Sequence, residues 1–531
     1  MSSSADEARA APAAPPQPPS PPPPLRGVEL FVGTVALSLA TFMNVLDTSI
    51  ANVSIPAISG DNGVSPTQGT WVITSFAVAN AISVPLSGWL AQRFGQVRVF
   101  LTATLLFTVA SLLCGLAPDL QALIAFRVLQ GAVAGPMIPL SQSLLLSSYP
   151  SSRAGTALAL WAVTTLVAPI VGPPLGGWIS DNLSWPWIFY INVPVGVVAA
   201  WATWTVYHRR ESPTRKLPVD FIGLALLVLW VGAMQITLDK GRELDWFGSR
   251  EIVALAVIAF VGFVFFLIWE LTDAHPVVDL SLFKRRNFAV GAGSLALAYG
   301  LFFGNVVLIP LWLQQFMGYT ATDAGFVLAP VGFLAILLAP WVGRNVNRHD
   351  PRMMASISFV FFAIVLYMRS LFTTDTDYWT IVVPAVLQGV AVAFMFVPLT
   401  TILLSGLPPE RIPAASGLSN FFRMTAGAFG TSLTTTLWDS RAQLHHSQMA
   451  ERIDAYSFTP QSTLSQLSDQ GMPRDQGLAL INRLIDQQAY TLSADELFFG
   501  AACLFLLLVL VIWIAKPKPM AAGAAAVGDA H

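Results

Sequence analysis

One carboxylate, Asp47, stands alone in an apolar run. It is the only formal charge between Phe31 and Ile55, inside the stretch FMNVLDTSIANVSIP (42–56). An ionisable group at membrane depth costs at least a few kcal/mol unless it faces water or a partner. The chemistry open to a lone carboxylate in that setting is proton uptake and release. Arg127, in FRVLQG (126–131), is the second charge at depth. Spacings of three and four put Arg127, Gln130 and Gly131 on one helical face, so a cation, an amide and a gap for close backbone approach look the same way. If Asp47 lies on an outward-running span and Arg127 near the start of an inward-running one, both fall roughly 10 Å below the outer surface at about 1.5 Å per residue. There they can meet directly or through water. A nearby cation favours a charged carboxylate and desolvation disfavours it, so opening and closing a water path at Asp47 would load and unload a proton. A static pair that only ties two helices together is the competing reading.

Other stretches offer fewer chemical groups. APIVGPPLGG (168–177) places Gly172, Gly176 and Gly177 for close helix packing, while Pro169, Pro173 and Pro174 remove backbone donors. A pliant helix is expected there. GWLAQRFGQVR (88–98), with Arg93 and Gly95, reads as a tight basic turn that either gates or only sets topology. Asn305, Gln388, Asn420 and Arg423 are the candidates for a substrate pathway, Arg423 suiting an anionic group. Arg369, near a span end, is expected to snorkel toward water. His445 and His446 lack acid or Cys neighbours in sequence and read as polar surface, so no metal is expected. None of the five lysines follows a glycine, so the phosphate loop of an ATPase is missing; the energy source is an ion gradient or a separate subunit, with no cofactor. No nucleophile–base set or paired carboxylates at depth suggests an enzyme. A net charge of −2 gives no footing for nucleic acid. Cys114 and Cys503 sit in apolar runs as packing residues.

The elements that must position these groups are membrane spans. Hydrophobic residues make up 54% of the 531 and charged residues only 11%, against about 25% charged in soluble domains. The chain is an all-α polytopic membrane protein. Crossing a bilayer core takes roughly 20 apolar residues, and fourteen such stretches occur, near 31–54, 70–91, 98–117, 121–147, 156–180, 186–207, 219–238, 252–271, 288–313, 324–343, 353–373, 379–405, 413–438 and 496–515. With the N-terminus inside, the tails and even-numbered loops hold 18 of the 28 Lys and Arg, the bias expected of cytoplasmic loops. Both termini are therefore expected in the cytoplasm. An internal repeat supports the count: Val128-Leu129-Gln130-Gly131 recurs as Val386-Leu387-Gln388-Gly389 and Leu145-Leu146-Ser147 as Leu403-Leu404-Ser405, displaced by 258. Arg127 aligns with Ala385, so architecture alone does not demand the arginine. The expected organisation is a disordered cytoplasmic tail (1–27), an N-terminal six-helix half (28–210), inserted helices 7 and 8 with linkers (211–285), a C-terminal six-helix half (286–518) and a short tail (519–531). Duplicated halves rocking about a midplane site are a plan of secondary transporters. A long outer loop, 439–495, is polar and ends in an amphipathic stretch from Leu478 to Leu492. It reads as a solvated tether or as a docking surface for a periplasmic partner.

LDTSIANVSIP (46–56), GWLAQRFGQVR, FRVLQG and GPPLGG (172–177), taken in order, resemble the signature motifs of the fourteen-helix drug:proton antiporters of the major facilitator superfamily. The resemblance runs from about residue 27 to 518. It implies the major facilitator fold, two six-helix halves plus inserted helices 7 and 8, and proton-driven export of hydrophobic or amphipathic toxic compounds across a bacterial inner membrane. It also implies a membrane-fusion partner like EmrA and an outer-membrane channel like TolC. By the motif match Asp47 is the proton-linked carboxylate, Arg127 the helix-4 arginine, and Gly172 to Gly177 the antiporter motif. Gln92 stands where the loop 2–3 motif usually carries an acid, which removes a gating salt bridge from that position. A dedicated exporter of one metabolite or siderophore fits the same fold. A receptor or assembly scaffold gives no reason for Asp47 and Arg127 inside the membrane.

Overall fold

The computed structural model describes residues 23–214, 218–241, 243–273, 276–452 and 473–517. A long helix stands at each of the fourteen expected places. These are α1 (Gly27–Val53), α2 (Trp71–Phe94), α3 (Gln96–Gly115), α4 (Leu120–Ser148), α5 (Ala154–Asn182), α6 (Trp187–Tyr207) and α7 (Phe221–Lys240). They continue as α8 (Arg250–Thr272), α9 (Arg286–Phe316), α10 (Ala321–Asn345), α11 (Pro351–Arg369), α12 (Tyr378–Leu404), α13 (Ile412–Arg452) and α14 (Arg474–Ile512). Twelve are long and apolar enough to cross a membrane by length and composition. The other two, α5 and α13, have 29 and 41 residues, about 43 and 60 Å of helix. Glycines, prolines and hydroxyl residues lower their hydropathy without shortening them.

Aspartates begin several of these helices by taking the first free N–H groups. Asp119 accepts from Ala122 at 2.8 Å, Asp220 from Gly223 at 2.8 Å, and Thr320 with Asp323 forms a capping box at α10. Gly95, at φ +96°, makes the sharp turn from α2 into α3, a backbone geometry open chiefly to glycine.

Helix pairing repeats along the chain. α1 packs on α5 and α6, α2 on α4, and α3 on α6; eight helices later α9 packs on α13 and α14, α10 on α12, and α11 on α14. Gly131 lets α4 lie against α2, where an added Cβ would fall 2.4 Å from the Phe76 carbonyl oxygen; Gly389 does the same for α12, 2.8 Å from the Val331 carbonyl oxygen of α10. The two helix sets meet at the end of the bundle where α1 begins. There Gly155 of α5 crosses Gly343 of α10, Gly88 of α2 touches Ala414 of α13, and Asn347 donates to the Ser152 carbonyl at 3.3 Å. α7 lies along the seam, against α2 and α13, with Ser432 donating to the Leu238 carbonyl at 2.8 Å. α8 packs on α7 and turns Phe260, Phe265 and Leu271 outward.

Two expectations need correction. The ordered chain begins before residue 28: Leu25 is buried and its N–H reaches the Ser148 carbonyl at 2.9 Å. The stretch 439–495 is not a plain loop. α13 and α14 run on into it as a helical hairpin, joined by Arg441–Glu496 at 2.7 Å, His446–Asp486 at 2.8 Å and the Trp438 indole on the Tyr490 carbonyl at 2.9 Å. Asp439 to Arg452 alone adds about 20 Å of helix. α5 continues as one helix through Pro169, Pro173 and Pro174. Most of the expected tails and the centre of the outer segment, 453–472, lie outside the described residues.

Candidate functional site

Asp47 and Arg127 meet. Arg127 Nη1 donates to Asp47 Oδ2 at 2.5 Å, and the two residues are 0% and 2% exposed. The second carboxylate oxygen takes Gln130 Nε2 at 3.1 Å and Asn192 Nδ2 at 2.8 Å. Every partner of Asp47 here is a donor, the arrangement an ionised carboxylate needs. The same two amides also donate to Ser111 Oγ, at 3.1 and 2.9 Å, and Arg127 gives Nε to the Val72 carbonyl at 3.0 Å and Nη1 to Gln130 Oε1 at 2.7 Å. Phe76 lies under the guanidinium at 4.2 Å, which offers the cation an aromatic face in a site without water's dielectric. Among the described residues Arg127 Nη2 has no acceptor.

Five helices build this cluster: α1 gives Asp47, α2 Phe76 and Val72, α3 Ser111, α4 Arg127 and Gln130, and α6 Asn192. All belong to the first helix set. Both charged side chains are buried within that set. α5 backs the cluster: a Cβ on Gly172 would meet Ser49 Oγ at 2.4 Å, and one on Gly176 the Ile50 carbonyl at 3.1 Å. Gly177 lies beside them, half-buried. Only the backbone of Pro173 is described.

The turn at Gly95 has an acid after all, supplied from elsewhere. Glu211, between α6 and α7, accepts the N–H groups of Val97 at 3.0 Å and Arg98 at 2.9 Å, capping α3. A Cβ on Gly95 would strike that carboxyl group at 2.3 Å. Arg93 stacks near Trp89 and Phe94 at 5.4 and 5.5 Å.

The four substrate-pathway candidates fall into two groups. Asn420 and Arg423 are together, with Arg423 Nη2 on Asn420 Oδ1 at 2.7 Å. Around that guanidinium stand Tyr299 at 4.9 Å, Phe396 at 5.7 Å and, from the other helix set, Trp161 at 5.5 Å. Arg423 Nε lacks an acceptor among the described residues. Asn305 and Gln388 lie apart from these and both accept from Arg369, each at 2.8 Å. Arg369 is 1% exposed, so it does not snorkel; two amides hold it inside. Asn192, Ser111 and Glu211 escaped notice in the sequence because single polar residues at span ends are common. Arg369 carried a usable signal: subtracting 258 gives Ser111, a member of the Asp47 cluster. Among the described residues no group of three or more His, Cys, Asp or Glu is placed to hold a metal.

The Major Facilitator Superfamily model matches residues 37–431. The chain belongs to the major facilitator superfamily. This is a family of membrane transporters and not of enzymes, and the all-helical fold is its fold. The chain is 52% identical to the multidrug export protein EmrB of Escherichia coli K12 over 96% of its own length and 99% of the relative's. It is 50% identical to the fatty acid resistance protein FarB of Neisseria gonorrhoeae, over 93% and 97%. Among solved structures, the human organic anion transporter MFSD10 superposes with a TM-score of 0.58 at 12% identity, over 92% of this chain and all of that one. At that identity the likeness concerns the fold alone.

Proposed function

We propose that this superfamily member is a proton-coupled antiporter that exports hydrophobic or amphipathic toxic compounds across a bacterial inner membrane. The observation that carries the reading is the sealed Asp47–Arg127 pair with its amide partners. An ion pair inside a membrane bundle is a poor way to gain stability, because removing two charges from water costs several kcal/mol each; a task that uses the charge accounts for it. Half-identity along nearly the full length to a multidrug export protein supports the same reading.

In this account the sealed pair is one station of the cycle. When α1 and α4 part, water reaches Asp47 and a proton replaces Arg127 as its partner. Loss of that charge frees Arg127 from α1, and the small-residue contacts of α5 with α1 let the helices shift. The bundle end where α1 begins, with its arginines, faces the cytoplasm, so closure at Gly155–Gly343 is the outward-directed state. Arg423 with its three aromatic neighbours, at the meeting of the two sets, is placed to hold substrate, and a cation there favours organic acids. The hairpin of α13 and α14 then projects into the periplasm, where it is positioned to receive a membrane-fusion protein like EmrA and, through it, a channel like TolC.

Reconstituted vesicles with an imposed proton gradient test the reading. Substrate-dependent proton efflux should appear with the intact protein; a chain that moves substrate with no proton countermovement refutes the coupling.

A further inference from the structure

The repeat relates two buried clusters of unequal charge. Displaced by 258, Asp47, Ser111 and Gln130 become Asn305, Arg369 and Gln388, and these three again meet. The arginine has moved from α4 to α11, and the carboxylate on α1 has become an amide on α9. No ion pair to Arg369 forms among the described residues; its partners are the neutral oxygens of Asn305 and Gln388. Both amides must turn their oxygens toward the guanidinium, since the reverse sets donor against donor. Their NH₂ groups therefore point away, and among the described residues Asn305 Nδ2, Gln388 Nε2 and Arg369 Nε all lack an acceptor. Each of these residues is at least 95% buried. Three idle donors about one unpaired cation are costly in a low-dielectric interior, and the group that would satisfy them is an anion.

Asn305 also lines a crevice of about 550 Å³ between α9, α13 and α14. The walls are apolar, among them Leu301, Leu308 and Phe498, and the lining residues Phe429, Leu433 and Leu504 are 46%, 57% and 40% exposed. Thr425 adds one more polar atom without a partner. The acid at one end, Glu496, is engaged by Arg441 at 2.7 Å and His445 at 3.1 Å. Along α9 the crevice reaches from Ala296 to Leu308, about 18 Å of helix, long enough for a hydrocarbon chain laid along it.

We propose that this crevice binds an amphiphile with a carboxylate head, taken from the lipid. The tail lies along α9 and α13, and the head meets Asn305 Nδ2 beside Arg369, supplying the charge that Asp47 supplies in the other cluster. This deepens the exporter reading by naming a loading site; the binding itself does not depend on transport.

The test uses the full chain in phosphatidylcholine vesicles at pH 8 with spin-labelled stearate, its methyl ester and spin-labelled phosphatidylcholine, reading the motionally restricted fraction. The intact protein should retain stearate at least fivefold over the ester and over phosphatidylcholine. Asn305→Asp, which lets the chain satisfy Arg369 itself as in the other cluster, should abolish that preference. Gly500→Phe fills the crevice, since a Cβ there meets nothing within 4 Å, and should lower retention of acid and ester alike. Equal retention of all three probes by the intact protein, an undiminished preference in Asn305→Asp, or no effect of Gly500→Phe would each overturn the proposal. Proton efflux driven by a lipophilic cation in the unaltered protein tests the exporter reading separately.

Discussion

The crossing of Gly155 and Gly343 sets a steric limit on how the two helix sets close, and one methyl group should open it. A Cβ on Gly155 would lie 2.2 Å from the Gly343 carbonyl oxygen and 2.4 Å from Val346 Cγ1. Ordinary contact begins near about 3.5 Å, so α5 and α10 must separate by roughly 1 Å. The obstacle is backbone, which has no rotamer to escape into. Overpacking of this kind costs about 1–3 kcal/mol, and the cost falls only on the conformation in which these helices cross. Gly155→Ala should therefore lower the closed-to-open ratio at this end by about 5- to 150-fold. Ser87 is a suitable reporter: it is fully buried, and its Cβ would lie 3.3 Å from a side chain at Gly417 across the same end. With Cys503 replaced, Ser87→Cys should react with a maleimide at least fivefold faster when Gly155→Ala is present. Gly343→Ala meets the Gly155 carbonyl at 2.5 Å, so the two changes relieve one contact and should combine with less than additive effect. An unchanged labelling rate in a folded, expressed Gly155→Ala protein would refute the reasoning.

Three further outcomes follow from the same geometry. Arg127→Lys keeps the charge but cannot span Val72, Asp47 and Gln130 together; gradient-driven export should fall about tenfold or more at unchanged expression, and wild-type export would count against a geometric role. Arg423→Gln should raise the KM for organic acids several-fold more than that for lipophilic cations in vesicle transport, and equal effects would remove Arg423 from substrate recognition. Replacing 453–472 by a short Gly-Ser linker leaves the ion pairs between α13 and α14 in place, so transport by the isolated protein should persist while capture of the proposed membrane-fusion partner weakens; unchanged capture would make that segment a tether.

Much of the plan was legible because membrane burial writes strong signals. Asp47 and Arg127 could be paired from depth alone, since any charge in those runs stands out. Gly131 announced the close approach to Phe76 through its spacing from Arg127. The less legible features share a physical cause. Asn192 and Ser111 are neutral, and a neutral polar residue costs too little in a span to be conspicuous. Arg369 was misjudged because nearness to a span end permits snorkelling, and only the folded chain reveals Asn305 and Gln388 across from it. The helical extensions 439–452 and 474–495 were misjudged for the opposite reason. They are polar outside the bilayer, so hydropathy ends where α13 and α14 do not.

The central claim is that Asp47 carries the proton. The most direct measurement is proton efflux on substrate addition in vesicles holding either the unaltered protein or Asp47→Asn, with folding checked by thermal unfolding in detergent. The asparagine can still accept from Arg127, as Asn305 does from Arg369, but its NH₂ then faces the donors of Gln130 and Asn192, which the unfolding check reads; in the folded variant substrate-dependent proton efflux should fall to background. Efflux equal to that of the unaltered protein would contradict the account.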